Sequence, residues 1–289
     1  MNRYIVCGIE INTEFEFLYY NIQQTLFNDI NPIRAKIEFI FKRNNSAVNI
    51  SRNDIVINQE GFILYYSQKG YYHIDKTGSI IVAYFYDEKD VILTFSNLPL
   101  SLIALIHGAI PLHCNSFLDA QGNISLILGD KGTGKSTLSY YLHKKGLQLF
   151  SDDITIVWPY VNDIIIFNGL NTVKLEKNLW PAIDGKHLLI SDYKYFVEIP
   201  SPYKSSEKIK QIFVLHKDKE SCIKQISPEL CQIQLKIHTV GNTPFKRLIY
   251  NNFNLYNRII QNASICSIAT IKDGLNNLQD NAQLFCCTM

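Results

Sequence analysis

The sequence has almost no excess of charge of either sign. It carries 28 lysines and arginines against 26 aspartates and glutamates, so its formal net charge is +2. Proteins that bind nucleic acid usually show a strong basic excess or a basic stripe. The composition therefore predicts no nucleic-acid partner.

The seven cysteines form no C-x-x-C pair, are scattered along the chain and are odd in number. Paired cysteines at short spacing are the usual signature of a zinc site, and an even set is the usual signature of a disulfide framework. The sequence therefore predicts neither a zinc site nor a disulfide framework. We expect reduced thiols in a cytoplasmic protein.

Long apolar runs are also missing. The most apolar segment, "LPLSLIALIHGAIPL" at 98–112, is broken by His107, Gly108 and two prolines. A membrane-spanning helix needs about 20 consecutive apolar residues, so this segment instead predicts a buried helix that starts near Pro99 and ends at Gly108. The N-terminus lacks the basic start and apolar stretch of a signal peptide. We expect no membrane partner.

What is present is enough apolar sequence for a large core. The chain has 289 residues, of which 47% are hydrophobic and 19% charged, and such a composition argues against disorder. A β-rich N-terminal region, residues 1–96, and a catalytic domain, residues 97–289, are predicted. Four segments of the first region are rich in β-branched and aromatic residues and predict strands: "YIVCGIEI", "FILYYSQ", "SIIVAYFY" and "DVILTFS".

The second region alternates strands and helices, so the fold class is predicted as α+β. Strands are expected at "LHCNSFL", "ISLIL" and "LQLF", with a helix from Ser136 to Lys145 that Gly146 caps. A hairpin is expected from "ITIVW" and "DIIIF", and helical or irregular structure at 174–195. The rest of the chain is predicted to contain, in order, a strand at "IKQIFVLH", a helical region from "TPFKRLIY", a short strand "ICSIATI" and a last helix.

One segment fits the phosphate-binding pattern G-x-x-x-x-G-K-[ST]. Glycines allow backbone N–H groups to turn towards phosphate oxygens, the lysine reaches the β- and γ-phosphates, and the serine hydroxyl is a magnesium ligand. The following helix points its positive end at the same anion. The sequence therefore predicts ATP and Mg²⁺ as cofactors. The predicted nucleotide-binding residues are Gly129, Asp130, Lys131, Gly132, Thr133, Gly134, Lys135, Ser136 and Thr137.

Two adjacent aspartates, Asp152 and Asp153, follow seventeen residues after Lys135, at the end of the next predicted strand. One carboxylate beside a P-loop holds the magnesium ion. If the chain turns out of the strand there, both carboxylates can face the nucleotide, and the second can accept a proton from a hydroxyl. The alternative is that one aspartate only caps a turn. His113 lies sixteen residues before Gly129, and its spacing alone leaves a structural role open.

The segment "PLHCNSF…GNISLILGDKGTGKSTLSYYLHKKGLQLFSDDITIV" resembles the catalytic domain of the bacterial HPr kinase/phosphorylase family. That family carries a histidine before the loop, a GKS loop and an "ADD" or "SDD" pair, and its nucleotide domain is similar in architecture to phosphoenolpyruvate carboxykinase. This chain has one extra residue between His113 and the loop. The resemblance implies a serine kinase in which Asp152 is on the metal side, Asp153 is the base and His113 lies near the phosphates. The order of the two aspartates could be reversed.

The whole chain also resembles stand-alone HPr-kinase-like proteins of ribosomal-peptide clusters, notably lasso-peptide precursor kinases. The similar segments are "YIVCGIEI", the helix before His113, "VKL" at 173–175 and "IKQIFVL" at 209–215, although Asn171-Thr172 and Lys210 replace residues usual in that branch. The resemblance implies a peptide or small-protein substrate with an acceptor serine. A kinase for a small-molecule hydroxyl and a non-catalytic ATP-sensing module are the alternatives, and a homo-oligomer is left open.

The acceptor is expected on the open side of the P-loop, where basic residues could meet a carboxylate next to the acceptor hydroxyl or the phosphate being transferred. The alternative is that these residues are solvated surface lysines. The candidates are Lys174, Lys204, Lys208 and Lys210.

Overall fold

The computed structural model describes residues 2–17, 34–43, 52–161, 163–170, 172–176, 187–189, 194–199, 205–206, 208–218, 222–261 and 263–271. Within these ranges the chain has mixed α and β structure, with extensive sheets. The helices are α1 (Glu88–Phe95), α2 (Leu98–Ile106), α3 (Lys135–Lys144), α4 (Pro228–Ile237), α5 (Lys246–Asn251) and α6 (Phe253–Ile260).

The N-terminal strands form one seven-stranded sheet. Its strand order is β1-β2-β3-β7-β6-β5-β4. The strands predicted at "FILYYSQ" and "SIIVAYFY" are confirmed as β5 and β7. The strands are β1 (Asn2–Val6), β2 (Ile9–Thr13), β3 (Ala35–Arg43), β4 (Asp54–Ile57), β5 (Gly61–Tyr66), β6 (Gly70–Asp75) and β7 (Ile80–Phe85).

Two predictions in this region were wrong. "YIVCGIEI" is not one strand but the hairpin β1–β2, because Cys7 and Gly8 both have positive φ angles, 52° and 82°, and two such residues make a tight hairpin turn.

"DVILTFS" is not a strand but most of α1. The side chain of Asp87 accepts a hydrogen bond from the Lys89 N–H and caps this helix, and its apolar residues are buried at helical spacing. Enrichment in β-branched and aromatic residues did not distinguish the two structures.

The predicted helix at the apolar segment is confirmed as α2, and Gly108, with φ 87°, follows its end. Its residues from Pro99 to Leu105 are buried. Among the described residues no single helix is long and apolar enough to cross a membrane; α1 and α2 together meet those criteria but are bent by 51°.

The remaining strands form three sheets. A six-stranded sheet has the order β11-β9-β10-β18-β20-β19, a four-stranded sheet β17-β13-β12-β8 and a three-stranded sheet β14-β16-β15. The strands are β8 (Ile110–Leu112), β9 (Cys114–Leu118), β10 (Ile124–Gly129), β11 (Gln148–Ser151), β12 (Thr155–Tyr160), β13 (Asp163–Phe167), β14 (Thr172–Glu176), β15 (His187–Leu189), β16 (Lys194–Glu198), β17 (Ser205–Ser206), β18 (Ile209–Asp218), β19 (Cys222–Gln225) and β20 (Ser264–Ile271).

The six-stranded sheet brings three predicted site segments to one edge. β9 runs antiparallel to both β10 and β11, so the start of β9 lies at the same edge as the ends of the other two strands. His113 precedes β9, the glycine-rich loop follows β10, and the aspartate pair follows β11. Strand pairing therefore gathers residues that are far apart in sequence.

Most other predictions are confirmed, with two corrections. The strand expected at "LHCNSFL" is interrupted at His113, because Leu112 ends β8 of the four-stranded sheet and Cys114 starts β9 of the six-stranded sheet. β12 and β13 form the expected hairpin, β18 and β20 are the two late strands, and α5 and α6 are the expected helices. The segment 174–195 was expected to be helical or irregular, but its described residues belong to the antiparallel strands β14, β15 and β16. The predicted last helix lies outside the described residues.

The N-terminal sheet packs on the rest of the chain through a continuous apolar core. One cluster of buried residues includes Phe39 and Phe95 from the N-terminal side and Leu112 and Ile156 from the other. A second cluster lies where α3 packs on the six-stranded sheet. It includes Leu138 and Leu142 from α3 and Ile127 and Phe213 from the sheet.

Candidate active site

The glycine-rich loop joins the buried strand β10 to α3. Gly134 lies immediately before α3 and has φ 95°, a left-handed conformation that costs a residue with a side chain about 1–2 kcal/mol. This conformation starts the helix directly after the loop, so the N–H groups of its first turn face the loop. Asp130 and Lys131 are exposed, whereas Gly132, Thr133 and Gly134 form the rest of the turn.

Lys135 lies across this loop. Its side chain is only 7% exposed, and its Nζ donates to the carbonyl oxygens of Gly129 at 2.5 Å and Asp130 at 3.2 Å. Burial lowers the pKa of Lys135, while nearby acidic groups, including Asp153 and Asp152, partly offset that effect. The ammonium group is therefore held against the start of the loop and within electrostatic reach of both aspartates.

Asp152 is tied to the first turn of α3. Its carboxylate accepts hydrogen bonds from Asn115 Nδ2 at 2.8 Å and from the backbone N–H of Lys174 at 2.9 Å, and the nearby Ser136 hydroxyl favours its ionised form. Burial and the neighbouring charge of Asp153 raise the pKa of Asp152 to about 6. Asp152 and Ser136 thus place two oxygen groups side by side at the mouth of the loop.

Asp153 turns away from the strand and has different partners. Its φ of 71° is left-handed, and this takes the chain out of β11 so that successive side chains no longer alternate across a sheet. Its carboxylate accepts from Lys174 Nζ at 2.7 Å and from His113 Nε2 at 3.2 Å. Burial alone would raise the pKa of Asp153, but the His113 hydrogen bond and the Lys174 ammonium outweigh burial and hold that pKa well below its usual range.

The structure therefore brings together His113, Lys135, Ser136 and both aspartates. The sequence analysis expected both carboxylates to face the loop if the chain turns out of the strand at the aspartate pair. The chain does turn there, at Asp153. Thr137 lies in the first turn of α3, half-buried beside Ser136.

Asn115 is a site residue that sequence reasoning missed. Its Nδ2 donates to Asp152 and to the hydroxyl of Ser139, and its Oδ1 accepts from the Asp153 N–H at 3.1 Å. One fully buried amide therefore holds both aspartates. The only available signal was an asparagine inside a buried strand, two residues after His113.

His238 is a second histidine that the sequence did not assign. It caps the end of α4, and its carbonyl oxygen accepts from the His113 N–H at 2.7 Å. Burial lowers the pKa of His238, and the charges of Asp130, Lys135 and His113 also act on it. No local pattern could have placed α4 beside β9.

The prediction for the lysines was only partly right. Lys174 lies at the aspartates, but Lys208 and Lys210 do not, because β18 runs parallel to β10 with Ile209 opposite Ile124 and Leu215 opposite Gly129. Six residues of strand therefore separate Ile209 from the loop edge, roughly 20 Å at about 3.3 Å per residue. Lys210 lies instead 3.7 Å from Asp119 Oδ2. Lys204 is outside the described residues.

The site fits a magnesium ion carried by a nucleotide better than a free-standing metal. Within the part of the chain that the structure describes, no cluster of three or more histidine, cysteine, aspartate or glutamate residues could hold a metal ion. Mg²⁺ commonly takes one or two protein oxygens and completes its shell with phosphates and waters. Ser136 and Asp152 supply two such oxygen groups.

Comparison with known proteins adds little. No protein-family model matches the chain, and no curated protein matches it. Among solved structures, the chain is similar to the HPr(Ser) kinase/phosphatase from Coxiella burnetii, with 14% sequence identity and a TM-score of 0.30, over 62% of this chain and 89% of that one. Similarity at this level carries no functional argument, so the function has to be inferred from the site itself.

Proposed function

We propose that the protein is an ATP-dependent kinase with a P-loop core of the HPr kinase type, and that it phosphorylates a serine hydroxyl on a peptide or small protein. The observation that carries the proposal is the division of partners between the two aspartates. Asp152 interacts with the Ser136 hydroxyl of the loop helix and is held by Asn115, whereas Asp153 faces Lys174 and His113. A site that only binds ATP needs the first carboxylate and has no use for the second.

The loop and α3 supply the phosphate site. Backbone N–H groups at the start of α3 and the ammonium of Lys135 present positive charge at one place. Because Lys135 already lies on the loop carbonyls, little side-chain ordering is required when the phosphates bind. Such preorganised charge is the main contribution a protein makes to phosphoryl transfer.

Ser136 and Asp152 would hold Mg²⁺. The ion, when bound, neutralises charge that develops on the β- and γ-phosphate oxygens. The interaction of the Ser136 hydroxyl with Asp152 supports the two oxygens acting on one ion. Asn115 and the Lys174 N–H fix the carboxylate from the other side.

Asp153 would accept the proton. The serine Oγ forms a new bond to the γ-phosphorus, the bond from that phosphorus to the ADP oxygen breaks, and the Oγ proton passes to the Asp153 carboxylate. The low pKa of Asp153 keeps it ionised and able to accept. A weak base is adequate because the transition state is loose, with little bond formation to the attacking oxygen.

The acceptor we favour is a precursor peptide of the lasso type with a serine at or near its C-terminus. Of Lys174, Lys208 and Lys210, it is Lys174 that lies at the aspartates, so it is the lysine suited to meet an anionic group beside the acceptor hydroxyl. A carboxylate next to the acceptor serine would compete with Asp153 for the ammonium group of Lys174.

Mass spectrometry of such a peptide after incubation with the protein, Mg²⁺ and ATP tests the proposal, and a gain of one phosphate on the serine is expected. The amidated peptide is the matched control and should bind more weakly. If a broad panel of serine peptides stays unmodified while a small alcohol is consumed, the protein is a small-molecule kinase. Slow hydrolysis alone, with tight retention of nucleotide, would instead identify an ATP-sensing module.

A further inference from the structure

A small cavity separates the aspartate pair from the N-terminal part of the chain. Its volume is about 20 Å³, and its lining includes Val6, Cys7, Ser96 and Leu100 on one side and Asp152 and Asp153 on the other. A cavity needs about 10–15 Å³ of this kind of volume to hold one water molecule. The space is therefore large enough for a single water.

Ser96 provides the polar group that such a water requires. It caps the end of α1, and its backbone N–H bonds to the Thr94 carbonyl. The residue is 7% exposed, and in the described part of the chain its Oγ is buried without a hydrogen-bond partner. A buried hydroxyl left unsatisfied costs about 1–3 kcal/mol, so a partner inside the cavity is favoured.

The wall opposite the aspartates is held firmly. The Cys7 N–H donates to the Asn168 carbonyl at 3.2 Å, and the Cys7 carbonyl accepts from Trp158 Nε1 at 2.7 Å. At Gly8 a Cβ atom would lie 2.6 Å from the Phe167 ring, so the β1–β2 turn fits against β13 only with glycine at this position. The turn cannot collapse into the cavity without breaking these contacts.

We propose that one ordered water occupies this cavity and links Ser96 to the aspartate pair. The Ser96 hydroxyl donates to the water, and the water donates to carboxylate oxygens of Asp152 and Asp153. These oxygens have acceptor capacity left, since each carboxylate has about four lone-pair positions. Water sites in proteins usually offer about three polar partners, and this cavity supplies that number.

Ser96 is then a positioning residue for the reaction, a role that rests on the proposed kinase function. The aspartates are held by Asn115 and Lys174 from the six-stranded and three-stranded sheets, and the water adds a support from α1. The N-terminal region thereby becomes part of the active-site structure.

Thermal unfolding of Ser96→Ala tests the water site without reference to activity. Its matched control is Ser101→Ala, because Ser101 Oγ is also buried without a partner among the described residues, while Ser101 does not line the cavity. Removing an unsatisfied hydroxyl should leave Tm unchanged or raised in Ser101→Ala, whereas Ser96→Ala should lower Tm.

A high-resolution crystal structure of the wild-type protein should show water density between Ser96 and the aspartates. A raised Tm in Ser96→Ala, or an empty cavity at high resolution, overturns the proposal.

Phosphotransfer kinetics test the positioning role. We expect kcat of Ser96→Ala to fall about two- to tenfold, the range of one net hydrogen bond, with KM for ATP unchanged, and Ser101→Ala to keep wild-type values. Bound water together with an unchanged kcat overturns the positioning role. A wild-type protein that transfers phosphate to no acceptor contradicts the proposed function instead, and the Tm and density results then still decide the water site.

Discussion

Lys174 binds the carboxylates of both Asp152 and Asp153, with its ammonium 2.7 Å from Asp153 Oδ2 and its backbone N–H 2.9 Å from Asp152 Oδ2. The ion pair is not a surface pair, because the side chains of Lys174 and Asp153 are 21% and 25% exposed. Exposed pairs contribute little to stability, whereas a partly buried pair is less screened by solvent. Lys174 therefore fixes the geometry of the site and, together with His113, holds the pKa of Asp153 below its usual range.

Lys174→Met should lower the free energy of unfolding at neutral pH by about 1.5–3 kcal/mol, the range for a hydrogen bond to a charged group. The variant keeps the backbone N–H that binds Asp152 but removes the ammonium. Urea unfolding measures the change. Lys210→Met is the matched control, since Lys210 is 49% exposed and lies 3.7 Å from its partner, and it should lose no more than about 1 kcal/mol. Equal losses in the two variants would contradict the buried-pair interpretation.

The same comparison has a predicted pH dependence. The pKa of Asp153 is held below its unfolded value by His113 and Lys174, so the stability it contributes is present above the unfolded pKa of about 3.9 and is lost as pH falls further. The Lys174 ammonium also favours the ionised form of Asp152, whose pKa is about 6. The difference between wild type and Lys174→Met should therefore be largest at neutral pH and shrink as the pH falls, and the part due to Asp153 should be lost below about pH 4. A difference that grows on acidification would show that Asp153 is not the partner.

Lys135→Ala should abolish nucleotide binding or phosphate transfer while the fold is retained. The side chain contacts the loop carbonyls at 2.5 and 3.2 Å and supplies a buried positive charge at the loop. Tm with and without Mg-ATP measures binding, and the ATP-induced rise should disappear. Lys145→Ala, at an exposed position at the far end of α3, should keep the rise. An unchanged rise in Lys135→Ala would contradict the P-loop assignment.

Asp153→Asn should reduce phosphate transfer by at least roughly 10²-fold, the usual effect of losing a general base, with little change in Mg-ATP affinity. The amide cannot accept the proton but keeps the size of the side chain. Asp152→Asn should instead weaken the dependence of the reaction on Mg²⁺. Transfer rates as a function of Mg²⁺ and ATP concentration separate the two effects. The opposite pattern would reverse the two roles.

Asn115→Ala should impair transfer about tenfold, equivalent to about 1.4 kcal/mol, because the Asn115 amide alone bridges the Asp152 carboxylate and the Asp153 N–H. The free energy of unfolding should fall by about 1–3 kcal/mol, the cost of leaving buried polar groups without a partner. Asn123→Ala, which removes a hydrogen bond to Asp119 at the far end of the sheet, is the control for transfer. Full activity in Asn115→Ala would show that the aspartates do not need this bridge.

Secondary structure could be predicted where the pattern was local and strong. The strand–loop–helix unit from β10 to α3 followed from an apolar run, spaced glycines and helical periodicity. Predictions failed where one pattern serves two structures. "DVILTFS" is rich in strand-forming residues, yet Asp87 caps a helix there, and "YIVCGIEI" contains a two-residue turn that an apolar run conceals.

The sequence by itself determined the chemistry of the loop and the presence of two carboxylates after it, because backbone N–H groups, Lys135 and Ser136 lie within a few residues of one another. Only the tertiary structure decided which distant side chains complete the site. Asn115 reaches the aspartates because β9 pairs with β11, and Lys174 reaches them because its neighbours Val173 and Leu175 in β14 share a core cluster with α3. Lys208 and Lys210 are instead carried to the opposite end of the sheet by the parallel register of β18. Such choices depend on strand order and register, which are set by packing of the whole core and leave no local pattern in the sequence.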